Sequence, residues 1–290
     1  MPFIRQHSLA VGLALMFALT WPFYSALGLV VGYGLSFACL VVTGLAQGTE
    51  GIKSLLRRFL LWRVGVRWYI TVLIGPFALY SGVVAFCHLW GSPTLDFTRT
   101  PAAEIFGTSR PLWLFIVPFF IIDAITNGEE LAWRGFVLPR CQRRFSALTA
   151  SVIIGVIWGL WHLPKLVPAG GPQDFAYIIL HNVAASVLYT WIYNSTAGSL
   201  LLVSLFHAAF NTAYVFLAAA PGAAGYTFMR AFMLIGECLA AGVVVAKAGP
   251  VALSRRAPVL DLPCPFAEDT NTAKLGAQMP KASAERECQS

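Results

Sequence analysis

In the stretch TNGEELAWRGFVLPR, residues 126–140, two adjacent glutamates follow one of the most apolar runs in the chain, and Arg134 stands four residues after the second. Ionisable groups at membrane depth are costly, which makes such residues functional suspects by default. On a helix Glu130 and Arg134 share a face with the acid first, the favourable order for an ion pair. Glu129 points about 100° away, so one carboxylate can be neutralised while its neighbour stays available for chemistry.

Two other apolar segments carry polar groups of complementary type. His162 lies in VIWGLWHLPKL, and His207 with Asn211 lies in SLLLVSLFHAAFNTAY, again four apart, so imidazole and carboxamide project from one helix face. Singly, each histidine reads as a hydrogen-bonded core residue; three helices that each bring polar groups into an apolar bundle read as a site. A carboxylate, two imidazoles and a carboxamide suit activation of water and attack on a carbonyl. Glu129 would be the general base and His162 would orient the water, while His207 and Asn211 donate to the oxyanion. The reaction class is hydrolysis, of a peptide bond. No GxSxG or HExxH motif is present. A metal variant stays open, because one or both histidines plus a glutamate could hold zinc with an open water position; the cofactor is therefore none or a divalent metal such as zinc.

These residues must be positioned by membrane helices. Of the 290 residues 58% are hydrophobic and 11% charged, where a soluble domain would carry roughly a quarter charged. Long, non-alternating apolar runs indicate an all-α, polytopic membrane bundle of about eight transmembrane helices, at 9–26, 28–46, 69–90, 111–138, 147–163, 175–194, 199–219 and 229–247. The apolar N-terminal stretch is long enough for two spans, so no cleaved leader is expected. One membrane domain covers residues 1–250, and the polar, Pro- and Ala-rich segment 251–290 reads as a disordered cytoplasmic tail.

The net charge of +7 sits in short loops beside apolar spans, which is a topology signal; no nucleic-acid partner is expected. The partners are a peptide or protein substrate at the membrane and the bilayer itself. GIKSLLRRFLLWRVGVRW, residues 51–68, places Ile52, Leu55, Leu56 and Phe59 against Lys53, Arg57, Arg58 and Arg63 and predicts an amphipathic helix on an anionic surface. Basic loops here, at Arg140, Arg143 and Arg144, and at Lys247, Arg255 and Arg256 place both termini in the cytoplasm. Helix rise brings Glu130, His162 and His207 to one depth only if the fourth helix runs past Arg140 into the cytosol, with a cavity open to that side. Asp123 shares a face with Glu130, and His181, Asn182 and Glu237 read as inter-helix hydrogen-bond partners. The six cysteines show no ligand spacing and read as free thiols.

Glu129-Glu130-Leu-Ala-Trp-Arg134, then Trp158-Gly-Leu-Trp-His162, then His207-Ala-Ala-Phe-Asn211 resemble the ordered EExxxR, FxxxH and HxxxN motifs of the CPBP family of CAAX proteases and bacteriocin-processing enzymes. The resemblance spans about residues 50–215, with Trp158 replacing the usual phenylalanine and altering only the shape of an aromatic wall. It implies an intramembrane endopeptidase of eight helices, and the compact chain without eukaryotic targeting signals points to a bacterial inner membrane. In it Glu129 acts with His162 on water, Glu130 and Arg134 support the site, and His207 with Asn211 stabilises the oxyanion. Both metal-dependent and glutamate-only mechanisms are described in that family. Two other readings use the same residues: a non-catalytic immunity or scaffold protein built on a structural polar network, and a proton-coupled transporter, which broken helices would favour.

Overall fold

The computed structural model describes residues 2–24, 31–90, 96–166 and 172–260. It is helical, with no strand among the described residues. Six helices are long and apolar enough to cross a membrane, and two shorter apolar ones bring the bundle to eight. In chain order they are α1 (Ser8–Thr20), α2 (Val31–Arg57), α3 (Val66–Leu89), α4 (Leu112–Gln142), α5 (Ala147–Trp161), α6 (Pro172–Ser195), α7 (Leu200–Leu217) and α8 (Tyr226–Ala248). The chain is thus an integral membrane protein. Exposed Ile70, Ile74, Ile121, Ile122, Ile125 and Leu239 form the outward apolar surface that hydrocarbon requires.

Inside the bundle, small residues let backbones approach. A Cβ on Gly155 of α5 would lie 2.4 Å from the Val183 Cα, and one on Gly159 would lie 3.0 Å from the Ile179 Cα, so this pair one turn apart fixes α5 tightly against α6. Ser151 adds a hydroxyl bond to Thr190 across the same seam, at 2.8 Å.

Three expectations change. The amphipathic helix is shorter than the expected 51–68: the backbone of α2 breaks at Gly48, where φ is +69°, and the helix that follows ends at Arg57. Glycine is the residue that reaches this φ without a steric cost. Arg58 is turned inward and buried, its guanidinium 5.9 Å from the Tyr193 ring. Second, α4 is not one continuous helix and does not protrude. It breaks at Asn127 and Gly128, resumes at Glu129, passes through a π-helical stretch at Leu131–Val137 and stops at Gln142. Arg140 is buried, donating to the Phe136 carbonyl at 2.7 Å and to Ser8 at 3.4 Å. Third, residues 251–260 pack on the bundle instead of starting a loose tail. Leu253 is buried, and the Ala252 carbonyl accepts from Asn194 Nδ2 at 2.7 Å. The remainder, 261–290 with Cys264 and Cys288, lies outside the described residues, while Cys39, Cys87, Cys141 and Cys238 are free thiols.

The ends of the helices sort into two faces. Asn194 pairs with Gln142 at 2.7 Å, Ser199 donates to the Leu61 carbonyl at 2.8 Å, and Ala147 donates its amide to the Val251 carbonyl at 2.8 Å. These contacts, with Arg140 to Ser8, gather the basic connections and both ends of the described chain on one face. The opposite face carries connections of mixed charge, among them Asp96, held below the usual carboxylate range by hydrogen bonds from the Thr98 hydroxyl and amide.

Candidate active site

The break in α4 is local chemistry. Asn-Gly is a turn-forming pair, and the Asn127 side-chain oxygen accepts the Glu129 backbone N–H at 3.0 Å, capping the resumed helix. The carbonyls that the break frees are satisfied from α2: Tyr33 donates to Ile125 at 2.6 Å and Ser36 to Gly128 at 2.5 Å. Close approach is what makes this possible, since a Cβ on Gly128 would fall 2.6 Å from the Gly32 carbonyl oxygen. Glu129 and Glu130 therefore occupy the first turn of a helix, the end whose dipole favours negative charge. The π-helical stretch that follows is a feature frequent at functional sites.

Glu130 and Arg134 form the expected pair, at 3.1 Å, both fully buried. Arg134 also donates to the Ser186 hydroxyl at 3.3 Å and lies over the Tyr189 ring at 4.0 Å and the Trp158 ring at 4.5 Å. His207 Nδ1 sits 2.7 Å from the same Glu130 oxygen. A carboxylate can only accept there, so Nδ1 carries the proton and Nε2 is the ring's other functional atom. Glu129 projects to a different neighbour: its Oε2 accepts the Trp158 indole N–H at 2.7 Å.

His162 stands one residue beyond the end of α5, its Nδ1 2.8 Å from the Trp158 carbonyl. A carbonyl also only accepts, which again puts the proton on Nδ1 and makes Nε2 the basic nitrogen. The His162 and His207 rings lie 6.0 and 5.8 Å from the Trp158 ring. Trp158 is therefore the hub on which all three motifs meet. The sequence pattern treats this position as an aromatic wall; its N–H gives it a polar function that phenylalanine lacks.

Asn211 differs from expectation. Its Nδ2 donates to both oxygens of buried Asp123, at 3.2 and 3.3 Å, so one of its two N–H groups is engaged within the protein. Asp123 thereby joins the site, as the shared face suggests. His181 bonds Glu237 across α6 and α8 at 2.7 Å as expected, whereas Asn182 turns to the Ile178 carbonyl of its own helix. Ser186 and Tyr189 contact the site but carry no signal in the sequence beyond lying near one face of α6.

A cavity of about 330 Å³ reaches this cluster, touching His162 and Asn211 and continuing past His181 and Phe210 to Tyr226 and Arg230. It extends from the face opposite the basic loops, not from the basic face. The reason is that α5 starts at the basic face and is 15 residues long, which carries His162 about 23 Å away from it. Convergence on one depth needs no protruding helix, because the large Trp158 side chain bridges the levels.

Among the described residues no three His, Cys, Asp or Glu side chains converge as a metal site. Glu130 is shared by Arg134 and His207, and both histidines keep Nε2 for the site while Nδ1 is hydrogen-bonded, an arrangement that a metal-ligating histidine also uses.

Residues 109–213 match the family model described as type II CAAX prenyl endopeptidase Rce1-like. The chain is also similar to the CAAX prenyl protease 2 of Methanococcus maripaludis, 26% identical over 106 residues, or 33% of this chain and 39% of that protein. The match thus spans about two fifths of that relative. The matched stretch contains all three motifs, and the family resemblance stated from them holds over it.

Proposed function

From the similarity of residues 109–213 to the type II CAAX prenyl endopeptidase Rce1-like family, we propose that the chain is an intramembrane endopeptidase using a glutamate-activated water. The observation that supports this most directly is the meeting of Glu129, the Glu130–Arg134–His207 network and His162 around Trp158. A structural network would pair every carboxylate with a cation. Here Arg134 and His207 both serve Glu130, while Glu129 receives only a neutral N–H among the described contacts.

In the reaction, Glu129 takes a proton from water through the oxygen that Trp158 does not occupy, and His162 Nε2 holds that water as an acceptor. The hydroxide attacks the scissile carbonyl. His207, anchored through Nδ1 to Glu130, donates from Nε2 as an imidazolium to the oxyanion, and Asn211 donates its second N–H. Glu129 then returns its proton to the leaving amine.

The substrate is a peptide or protein segment at the membrane, reaching the cluster through the cavity. With the basic face on the cytoplasmic side by the positive-inside rule, both termini are cytoplasmic and the cavity serves the opposite half of the bilayer of a bacterial inner membrane. This differs from the cytosol-facing cavity that helix rise alone suggests. Cleavage of a quenched fluorescent peptide library by purified protein in detergent tests the reading: wild type cleaves, Glu129→Gln does not, and cleavage retained by Glu129→Gln overturns it.

The break in α4 is a single joint placed at the glutamates. With the break at Gly48 in α2 it makes two broken helices, both in the first half of the chain; the helices of the second half run unbroken among the described residues, so the paired half-repeats of a transporter are not formed.

A further inference from the structure

Apart from the catalytic cavity, a second cleft of about 490 Å³ lies on the basic face, among the start of α3 and the ends of α6 and α8. Arg67, Lys247, Arg255 and Arg256 all line it, and no acidic residue does. None of the four is in an ion pair among the described residues. Four cations brought together without a carboxylate repel one another, and an anion between them relieves that repulsion.

The cleft is also built. Trp68 and Trp191 meet edge to face in its wall, ring centroids 5.0 Å apart, and Trp68 is buried. Arg67 lies 5.5 Å over the Trp68 ring. Arg255 and Arg256 are carried on the segment after α8, which is fixed by bonds from Asn194 to the Ala252 carbonyl and from the Val259 amide to Asn194. Ser195 and buried Ser254 add hydroxyl groups to the lining.

We propose that this cleft binds the phosphate-bearing headgroup of an anionic phospholipid. Its position decides for a lipid. The cations stand at helix ends, where headgroups lie, and Val243 on the rim is 51% exposed on a membrane-spanning helix, offering an acyl chain an apolar track leading away from the charges. Basic pockets between helices at this level recognise anionic headgroups through charge and hydrogen bonds, and the tryptophans suit the same interface.

The test is native mass spectrometry of the full chain released from phosphatidylcholine nanodiscs, with or without phosphatidylglycerol, alongside inorganic phosphate and glycerol phosphate as soluble competitors. Wild type is expected to retain phosphatidylglycerol saturably and phosphatidylcholine not at all. Retention should fall about fivefold per charge removed in Arg255→Gln/Arg256→Gln and in Arg67→Gln, which lies on a different element. Lys53→Gln, on the same face outside the cleft, should retain lipid as wild type does. Thermal transitions equal to wild type in phosphatidylcholine show that the variants fold. Equal retention by wild type and cleft variants, or equal loss in Lys53→Gln, overturns the site. Complete displacement by inorganic phosphate or glycerol phosphate overturns the lipid as its ligand and leaves a soluble phosphate.

Discussion

The indole N–H of Trp158 lies 2.7 Å from Oε2 of Glu129, so the aromatic residue at the start of the second motif directly holds the proposed base of the first. That bond occupies one carboxylate oxygen and aims the other. Trp158→Phe keeps the ring and deletes only the donor. A hydrogen bond to a charged group contributes about 1.5–3 kcal/mol, so kcat on a cleavable peptide should fall about tenfold or more while KM stays near wild type. An unchanged kcat would show that Glu129 needs no such support.

Glu129→Gln retains shape and loses the base. Cleavage should drop by about a hundredfold or more, measured as initial rates on the same peptide. The melting temperature in detergent should stay at or above the wild-type value, since catalytic groups are often held at some cost to the fold.

Glu130 behaves differently because it is fully buried between Arg134 and His207. Glu130→Ala leaves the Arg134 charge without its carboxylate, a loss of about 3–5 kcal/mol. Thermal denaturation should therefore show a clear destabilisation, in contrast to the Glu129 variant. Equal stability of the two variants would contradict this division of labour.

Gly128→Ala probes the joint in α4. Its Cβ would meet the Gly32 carbonyl oxygen at 2.6 Å, a backbone atom that cannot turn aside. Overpacking of this kind costs about 1–3 kcal/mol, and the shift displaces Glu129 one residue on. Activity should fall further than Tm alone explains. Ser36→Ala, which removes only the hydroxyl bond to the Gly128 carbonyl, should be milder on both measures.

The side served by the cavity can be read by cysteine labelling in intact cells with an impermeant maleimide. Ala224→Cys, in the exposed connection after α7, should label without permeabilisation. Arg256→Cys on the basic face should label only after it. The reverse pattern would put the cavity on the cytoplasmic side.

How much of this was legible in the sequence depends on which interaction decides each feature. The eight spans follow from hydropathy, because hydrocarbon leaves helices little choice, and the Glu130–Arg134 pair follows from helical spacing. The break at Asn127–Gly128 was hidden within the apolar run and the expected helix, although Asn-Gly is a turn signal; only Gly32, Tyr33 and Ser36 on α2 make the break tolerable. Likewise no spacing rule tells that Trp158 would donate to Glu129, that Arg58 would turn inward, or that Asp123 would engage Asn211. These depend on contacts far apart in the chain. The cavity opens on the face opposite the basic connections because α5 carries His162 about 23 Å away from them, which spacing along a single helix does not tell.

The first amides of α5, at Ala147 and Leu148, donate to the carbonyls of Val251 and Pro250, which are made about a hundred residues later. While the chain is still emerging from the ribosome, Ser146 can cap α5 through the Thr149 amide, but the Ala147 and Leu148 amides must wait for their carbonyls. Assembly of this end of the bundle is thus closed by the segment after α8, like a latch. A product truncated before Pro250 would keep all eight spans yet leave these two amides without their carbonyls.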